Sequence, residues 1–331
     1  MIVTVTPNPS IDRTVALGAP LTRGAVHRVT SATSEPGGKG VNVARALTLA
    51  GLDTVAVLPA SDADPIVAAL RASGVSFRCV PISGAVRTNL AITESDGTTT
   101  KLNEPGAHLD ESALAALTRT VVEYAKSAAW VVLSGSLPPG VPDHWYADVV
   151  AQLSSSPCQI AVDTSERPLD ALAAAFGTAA PDVIKPNAEE LAGLVGASPE
   201  ALELAAAQRD PAPVVAAATT LIERGAKTVL VTLGAAGAVL VDPTGSWMAS
   251  PPPISPRSTV GAGDASLAGY VRAAVGGAEP PRRLQMAVAY GSAAAALPGS
   301  ALPSPSEIDL DAVRVYAITA SSASSSLSTL T

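Results

Sequence analysis

Short apolar runs recur along the chain, separated by longer Ala- and Leu-rich stretches with helical spacing. Val131-Val132-Leu133 and Val229-Leu230-Val231 are continuous rather than alternating, the pattern of strands buried on both faces. Strands are predicted over Ile2–Thr6, Thr54–Leu58, Trp130–Ser134, Gln159–Asp163, Val183–Lys185, Thr228–Thr232 and Ala238–Val241. Helices are predicted over Val41–Ala50, Pro65–Ala72, Glu111–Lys126, Asp143–Leu153, Ala188–Val195, Val214–Arg224 and Ala265–Ala274. This alternation implies βαβ units and an α/β fold, with a mostly parallel sheet covered by helices on both faces.

Two segments break the rhythm. Thr14–Ser34 and Arg87–Asn103 are rich in Thr, Val and charged residues and carry no helical period. Ile92–Thr100 reads as a hairpin with Asp96-Gly97 at its turn, so the two segments are expected to form a small sheet inserted into the main domain. Pro251–Pro256 reads as an extended connection, and the Ser-rich stretch Ser321–Thr331 is expected to be disordered.

Composition narrows the class without naming a function. Of the 331 residues, 47% are hydrophobic, enough for a large core that needs no metal or disulfide to hold it. No apolar run free of charge and Pro is long enough to read as a membrane span. Met1–Thr6 lacks the basic start and small-residue cleavage site of a signal peptide and reads as the opening strand of the fold. Cys79 and Cys158 lie far apart and form no metal-ligand spacing, which suits reduced thiols in a cytoplasmic protein. The formal charge of −8 disfavours a nucleic-acid partner. It leaves a phosphorylated small molecule open, since such a ligand needs only local positive groups.

Three stretches carry candidate chemistry. In Ser258-Thr259-Val260-Gly261-Ala262-Gly263-Asp264, two glycines precede a helix, so backbone amides and the positive end of the helix dipole converge on an anion site. Asp264 adds little affinity for an anion, but it is well placed to take a proton from a hydroxyl attacking one. The plainer reading is an N-cap Asp after a Gly-rich turn. Glu35-Pro36-Gly37-Gly38-Lys39-Gly40-Val41-Asn42 again sets a Gly-rich turn before a helix. It is no P-loop, because Gly40 stands where Ser or Thr is required, and it is no dinucleotide fingerprint. Its amides, Lys39 and Asn42 either grip a polar ligand or pack a helix tightly. In Val183-Ile184-Lys185-Pro186-Asn187-Ala188-Glu189-Glu190, Lys185 ends a buried strand, where ligands of open α/β sheets bind. Asn187 and Glu190 could orient a hydrated Mg²⁺ or could simply cap the helix.

Together these residues resemble the ribokinase-like (PfkB) family of carbohydrate kinases over residues 1–318. Gly37–Gly40 is similar to the family's first signature, and Thr259–Asp264, with its G-A-G-D core, to the second and more specific one. Asn187 and Glu190 resemble the motif associated with Mg²⁺, while Thr232-Leu233-Gly234 and Gly237 resemble the nucleotide-side loop. Thr6–Asp12, Val132–Gly140 and Val86–Asn89 are similar to the phosphosugar branch. That branch contains 1-phosphofructokinases, tagatose-6-phosphate kinases and minor 6-phosphofructokinases. Lys39 is the residue the first two of these place there, whereas the third tends to have Gly. Ser165-Glu166 departs from the branch's Ser-Gly, and Leu204–Val214 looks extended.

The resemblance implies a three-layer α/β/α core, a β lid from about 13–34 and 87–104, and a tail over 319–331. It implies ATP and Mg²⁺ as cofactors, and phosphorylation of a ketohexose phosphate, foremost D-fructose 1-phosphate to fructose 1,6-bisphosphate. Asp264 would be the base, with the amides of Gly261, Ala262 and Gly263 stabilising the transferring group. Asp12, Gly37, Gly38, Asn42 and Ser136 would bind the sugar, and Arg87 and Lys39 its phosphate. Lys185, Asn187, Thr232, Gly234, Gly237 and Gly263 would bind ATP, with Glu190 and Asn187 holding Mg²⁺ through water. The lid is expected to make a homodimer. Tagatose 6-phosphate and fructose 6-phosphate remain alternative substrates. A non-catalytic sensor is a rival that has no need of Asp264, and a dehydrogenase is disfavoured by the missing dinucleotide fingerprint.

Overall fold

The computed structural model describes residues 1–318 and 328–329. The chain opens with β1 (Ile2–Val5), crosses to a second sheet as β2 (Ser10–Leu17) and β3 (Val29–Gly37), and returns through α1 (Lys39–Leu49) and β4 (Thr54–Pro59). α2 (Pro65–Ala72) and β5 (Ser76–Val80) complete that edge, after which β6 (Arg87–Thr93) and β7 (Thr99–Asn103) rejoin the second sheet. The middle alternates α3 (Glu111–Ala125), β8 (Trp130–Ser134), α4 (Trp145–Leu153), β9 (Gln159–Asp163), α5 (Glu166–Ala174), β10 (Val183–Ile184) and α6 (Ala188–Val195). Then α7 (Pro199–Ala207) and α8 (Ala212–Glu223) lead into β11 (Val229–Thr232), β12 (Ala238–Asp242) and β13 (Gly245–Ser250). α9 (Ala262–Val275), α10 (Pro280–Ala295), β14 (Arg314–Ala317) and β15 (Ser328–Thr329) close the fold.

The large sheet has the order β15-β14-β13-β12-β11-β10-β9-β8-β1-β4-β5. It is parallel from β5 to β11 and antiparallel beyond. Its central strands are buried on both faces because successive side chains feed two different cores. Val131 and Leu133 of β8 pack with Leu117, Val121 and Tyr146 of α3 and α4. Trp130 and Val132, one position out of phase, pack with Val43, Leu47, Leu267 and Tyr270 of α1 and α9. Each such fully buried aliphatic side chain contributes about 1.5–3 kcal/mol through removal from water. This is the three-layer arrangement that the continuous apolar runs predict.

The elements that went unpredicted lie mainly at the periphery. β5 alternates in exposure and lacks a continuous apolar run; α10 opens on Pro-Pro-Arg-Arg, which masks its apolar face. The two Gly-rich helices begin earlier than predicted, α9 at Ala262 rather than Ala265 and α1 at Lys39 rather than Val41. Gly261, at φ +77°, supplies a left-handed N-cap that a side-chain-bearing residue rarely adopts, and so moves the start of α9 into the motif itself.

The second sheet has the order β3-β2-β6-β7. Its hairpin turns at Asp96-Gly97 as expected: Gly97 has φ +90°, and Glu94 N–H donates to Thr98 O at 2.8 Å. β2 begins at Ser10 and β3 ends at Gly37, so the base of the sheet runs straight into the Gly-rich stretch before α1. The Ser-rich tail expectation falls outside the described residues, apart from 328–329, which pair antiparallel with β14. Both cysteines are free thiols. No helix among the described residues is long and apolar enough to cross a membrane.

Candidate active site

Parallel strands end on one edge of the large sheet, and the polar motifs follow those ends. Asp163 is the last residue of β9, Lys185 directly follows β10, and Thr232 ends β11. Loop ends at this edge are the usual ligand site of an open α/β sheet. α1 and α9 bring the two Gly-rich turns to the same place, and Asn42 Nδ2 donates to Asp264 Oδ2 at 2.9 Å.

Asp264 lies in the first turn of α9 and is 7% exposed. It caps nothing, so the N-cap reading fails here. Burial, and next the Asp163 carboxylate, push its pKa up to about 6, against the pull of Lys39, the Asn42 hydrogen bond and Lys185. A buried carboxyl with a pKa near neutrality is suited to general-base work. Free N–H groups of the first helical turn point at the same space; the Ala262 N–H already makes a long bond of 3.4 Å to Thr259 O. A Cβ on Gly263 would sit 3.4 Å from Lys185 Nζ, which places that ammonium against the anion loop.

Asp163 joins two lysines. Its Oδ1 accepts from Lys39 Nζ at 2.9 Å, and its Oδ2 lies 3.2 Å from Lys185 Nζ. Burial alone would raise the Asp163 pKa, but Lys185 and Lys39 outweigh it and hold the carboxyl below its ordinary value. Burial also works against the Lys39 ammonium; Asp163, and behind it Asp264, hold it above the ordinary lysine value instead.

On the side of the small sheet, Asp12 accepts from Ser10 Oγ at 2.7 Å and from Asn89 Nδ2 at 3.0 Å. A Cβ on Gly37 would fall 2.2 Å from Asp12 Cγ, so Gly37 is what lets that carboxylate stand where it does. Ser136 accepts a hydrogen bond from Asn8 at 3.2 Å. Arg87 donates from Nη1 to Glu104 O at 3.3 Å, while its Nε is buried with no partner among the described residues. Burial lowers the Arg87 pKa, with Asp12 opposing that shift. Asn42 Oδ1 and Asn89 Oδ1 are likewise buried without partners. Such orphaned groups are costly unless a ligand satisfies them.

On the other side, Asn187 forms an isolated bridge with Thr232, and Thr232 N–H donates to Pro186 O at 3.0 Å. Asn187, Thr232 and Gly234 line a cavity of about 560 Å³ together with Glu203 and Arg209. Gly237, at φ +104°, closes the loop by accepting from Leu233 N–H. Asn187 and Glu190 form a complete capping box, with both bonds at 2.8 Å. One Glu190 oxygen is occupied there, which leaves the other for a water or cation. No cluster of three metal-ligating side chains occurs among the described residues. This donor set fits a hydrated Mg²⁺ carried mainly by phosphate oxygens, and not a protein-built cage.

The chain belongs to the pfkB family of carbohydrate kinases, whose model matches residues 6–307. Its relatives narrow the kind of kinase. It is 38% identical over 274 residues to 1-phosphofructokinase from Xanthomonas campestris pv. campestris, covering 82% of this chain and 83% of that protein. It is 36% identical over 311 residues to 1-phosphofructokinase from Rhodobacter capsulatus, covering 93% and 94%. Phosphofructokinase-2 from Escherichia coli, solved with substrates and products, superposes with a TM-score of 0.83 at 32% identity over 93% of this chain and 96% of that one.

The fold therefore gathers Asp264, Asn42, Lys39, Lys185 and the Gly261–Gly263 loop around one point, with Asp12, Gly37, Gly38, Arg87 and Ser136 toward the small sheet. Asp163 had not been singled out from sequence, although it ends a buried strand as Lys185's does. The strand-end rule applied to Lys185 would have found it. Asn8, Ser10 and Asn89 fall in stretches likened to the phosphosugar branch, but no role of their own is legible there because they act through other side chains.

Proposed function

We propose that this kinase transfers the terminal phosphoryl group of ATP to the C6 hydroxyl of D-fructose 1-phosphate, giving fructose 1,6-bisphosphate and ADP. The observation that carries the reading is the buried Asp264, hydrogen-bonded by Asn42 in the first turn of α9 and flanked by the lysine pair. The ionised carboxylate takes the hydroxyl proton as the sugar oxygen bonds to phosphorus. The bond from that phosphorus to the bridging oxygen breaks, and ADP leaves with the bond's electrons. The Gly261 and Gly263 amides and Lys185 face the charge that develops on the transferred group. Lys185, Thr232, Gly234 and Gly237 hold the nucleotide, and Asn187 with Glu190 would hold Mg²⁺ through water. When bound, that ion neutralises phosphate charge.

Asp12, Gly38, Asn42 and Ser136 bind sugar hydroxyls, and Arg87 and Lys39 bind the phosphate already present. The unpartnered Arg87 Nε supports this, because a guanidinium grips two phosphate oxygens at once. Lys39 and the two 1-phosphofructokinase relatives favour fructose 1-phosphate over its isomers. The small sheet acts as a lid. Val29 and Leu102 on that sheet are 52% and 55% exposed, which suits pairing with a second copy of the chain. The setting is cytoplasmic. A coupled ADP-release assay across fructose 1-phosphate, tagatose 6-phosphate, fructose 6-phosphate and free fructose tests the assignment. The highest kcat/KM is expected with fructose 1-phosphate, and a preference for another sugar would reassign the substrate.

A further inference from the structure

We infer that Asp163 is a positioning residue that holds the phosphosugar-side and nucleotide-side lysines in one array, so that a single buried carboxylate sets the binding of both substrates. The inference rests on the assignment of Lys39 to the sugar phosphate and of Lys185 to the nucleotide.

Asp163 is itself held from several sides. It ends β9, which lies between β8 and β10. Its carbonyl accepts from Gly135 N–H at 2.9 Å, and the neighbouring Val162 carbonyl accepts from Lys185 N–H at 3.1 Å. Its side chain is 1% exposed. The two ammonium groups reach it from different elements, Lys39 from the start of α1 and Lys185 from the end of β10. Two ammonium groups that converge on one buried carboxylate repel each other, and the anion between them offsets that repulsion. As a source of stability alone the arrangement is poor, because desolvation offsets most of the attraction in a buried ion pair. As a spacer it is efficient: one carboxylate oxygen faces each lysine, so both cations are fixed relative to each other and to Asp264. Neither lysine is assigned to the other's substrate, and therefore only a shared element can affect both.

The test is steady-state kinetics of Asp163→Asn and Asp163→Glu with fructose 1-phosphate and ATP varied separately. For Asp163→Asn, both KM values are expected to rise about tenfold or more, the scale of one charged hydrogen bond. The acid limb of its pH profile is expected to move to lower pH, because Asp264, which faces Asn42, Asp163, Lys39 and Lys185, loses a neighbouring negative charge. Asp163→Glu keeps the charge but displaces it, so both KM values should rise while the acid limb stays in place. A rise in only one KM, or a loss of melting temperature or kcat with both KM values unchanged, would overturn the inference. If Asp163→Asn does not fold, the Glu variant decides; failure of both to fold assigns Asp163 to stability and also overturns it. Lys39→Met and Lys185→Met separate the two levels. Each should raise only its own substrate's KM, and a crossed result would overturn the ligand assignments themselves.

Discussion

Asn42 and Asp264 are 222 positions apart in sequence, yet Asn42 Nδ2 lies 2.9 Å from Asp264 Oδ2. The bond joins the first turns of α1 and α9, the two helices that follow or contain the Gly-rich turns. It aims the carboxylate while the Asn42 Oδ1 has no partner among the described residues. The first prediction follows from the aimed carboxylate. Asp264→Asn keeps shape and removes basicity, so kcat should fall by about 10² or more, with substrate dissociation constants little changed. Near-normal turnover in a folded variant would remove Asp264 from the mechanism.

The raised pKa of Asp264 gives a pH dependence with a definite sign. The base works ionised, so kcat/KM should decline as pH falls through about 6. For stability, the folded state holds this proton more tightly than the unfolded chain. Stability from this group is therefore full below the unfolded carboxyl pKa and is lost as pH rises toward about 6. Asp264→Asn should accordingly match or exceed the wild-type melting temperature at pH 7. An acid limb well below pH 5 would contradict the assignment.

Arg87 is expected to discriminate by phosphate. Arg87→Ala should weaken use of fructose 1-phosphate by about 10–150-fold, from roughly 1.5–3 kcal/mol for a charged hydrogen bond. Activity on free fructose should barely move. Lys39→Gly should give a smaller loss of the same kind and relax the choice between phosphates at C1 and C6. Equal losses on both sugars would place Arg87 outside phosphate recognition.

Closure of the small sheet over the sugar is testable by hydrogen exchange. Amides of β2, β3, β6 and β7 should exchange more slowly once phosphosugar and nucleotide are bound, since a closed lid excludes water. Protection confined to the large sheet and the Gly-rich turns would argue for a static sheet.

Glu166 occupies φ +56° at the start of α5, a left-handed conformation unfavourable to a residue with a Cβ. Glu166→Gly should stabilise the fold by up to about 1 kcal/mol, after the entropy that Gly itself loses on folding. Chemical denaturation checks this, with both KM values expected to stay at wild type. A loss of stability would mean that the Glu166 side chain makes a compensating contact.

Much of this molecule was legible without coordinates, and the reason is local. Continuous apolar runs such as Val131–Leu133 mark strands covered on both faces, whatever packs on them. Gly-rich turns before helices mark helix starts with exposed amides because the geometry is set within a few residues. The Asp96-Gly97 turn and the order of the motifs belong to the same class. Pairings across the chain were not legible, because nothing in the neighbourhood of Asp163 shows that two lysines converge on it. The two readings of Asn187 and Glu190 also needed the fold. Their capping box forms in full, and only the fold places it beside Thr232 at the strand-end edge, the position from which the proposed Mg²⁺ role is argued. Asp264 met the opposite outcome: its carboxylate turns away from its own helix to a neighbour on α1. Sequence determined which residues could do chemistry. Long-range packing of α1, α9 and β9 decided which of them share one low-dielectric site, where mutual proximity sets their charge and their work.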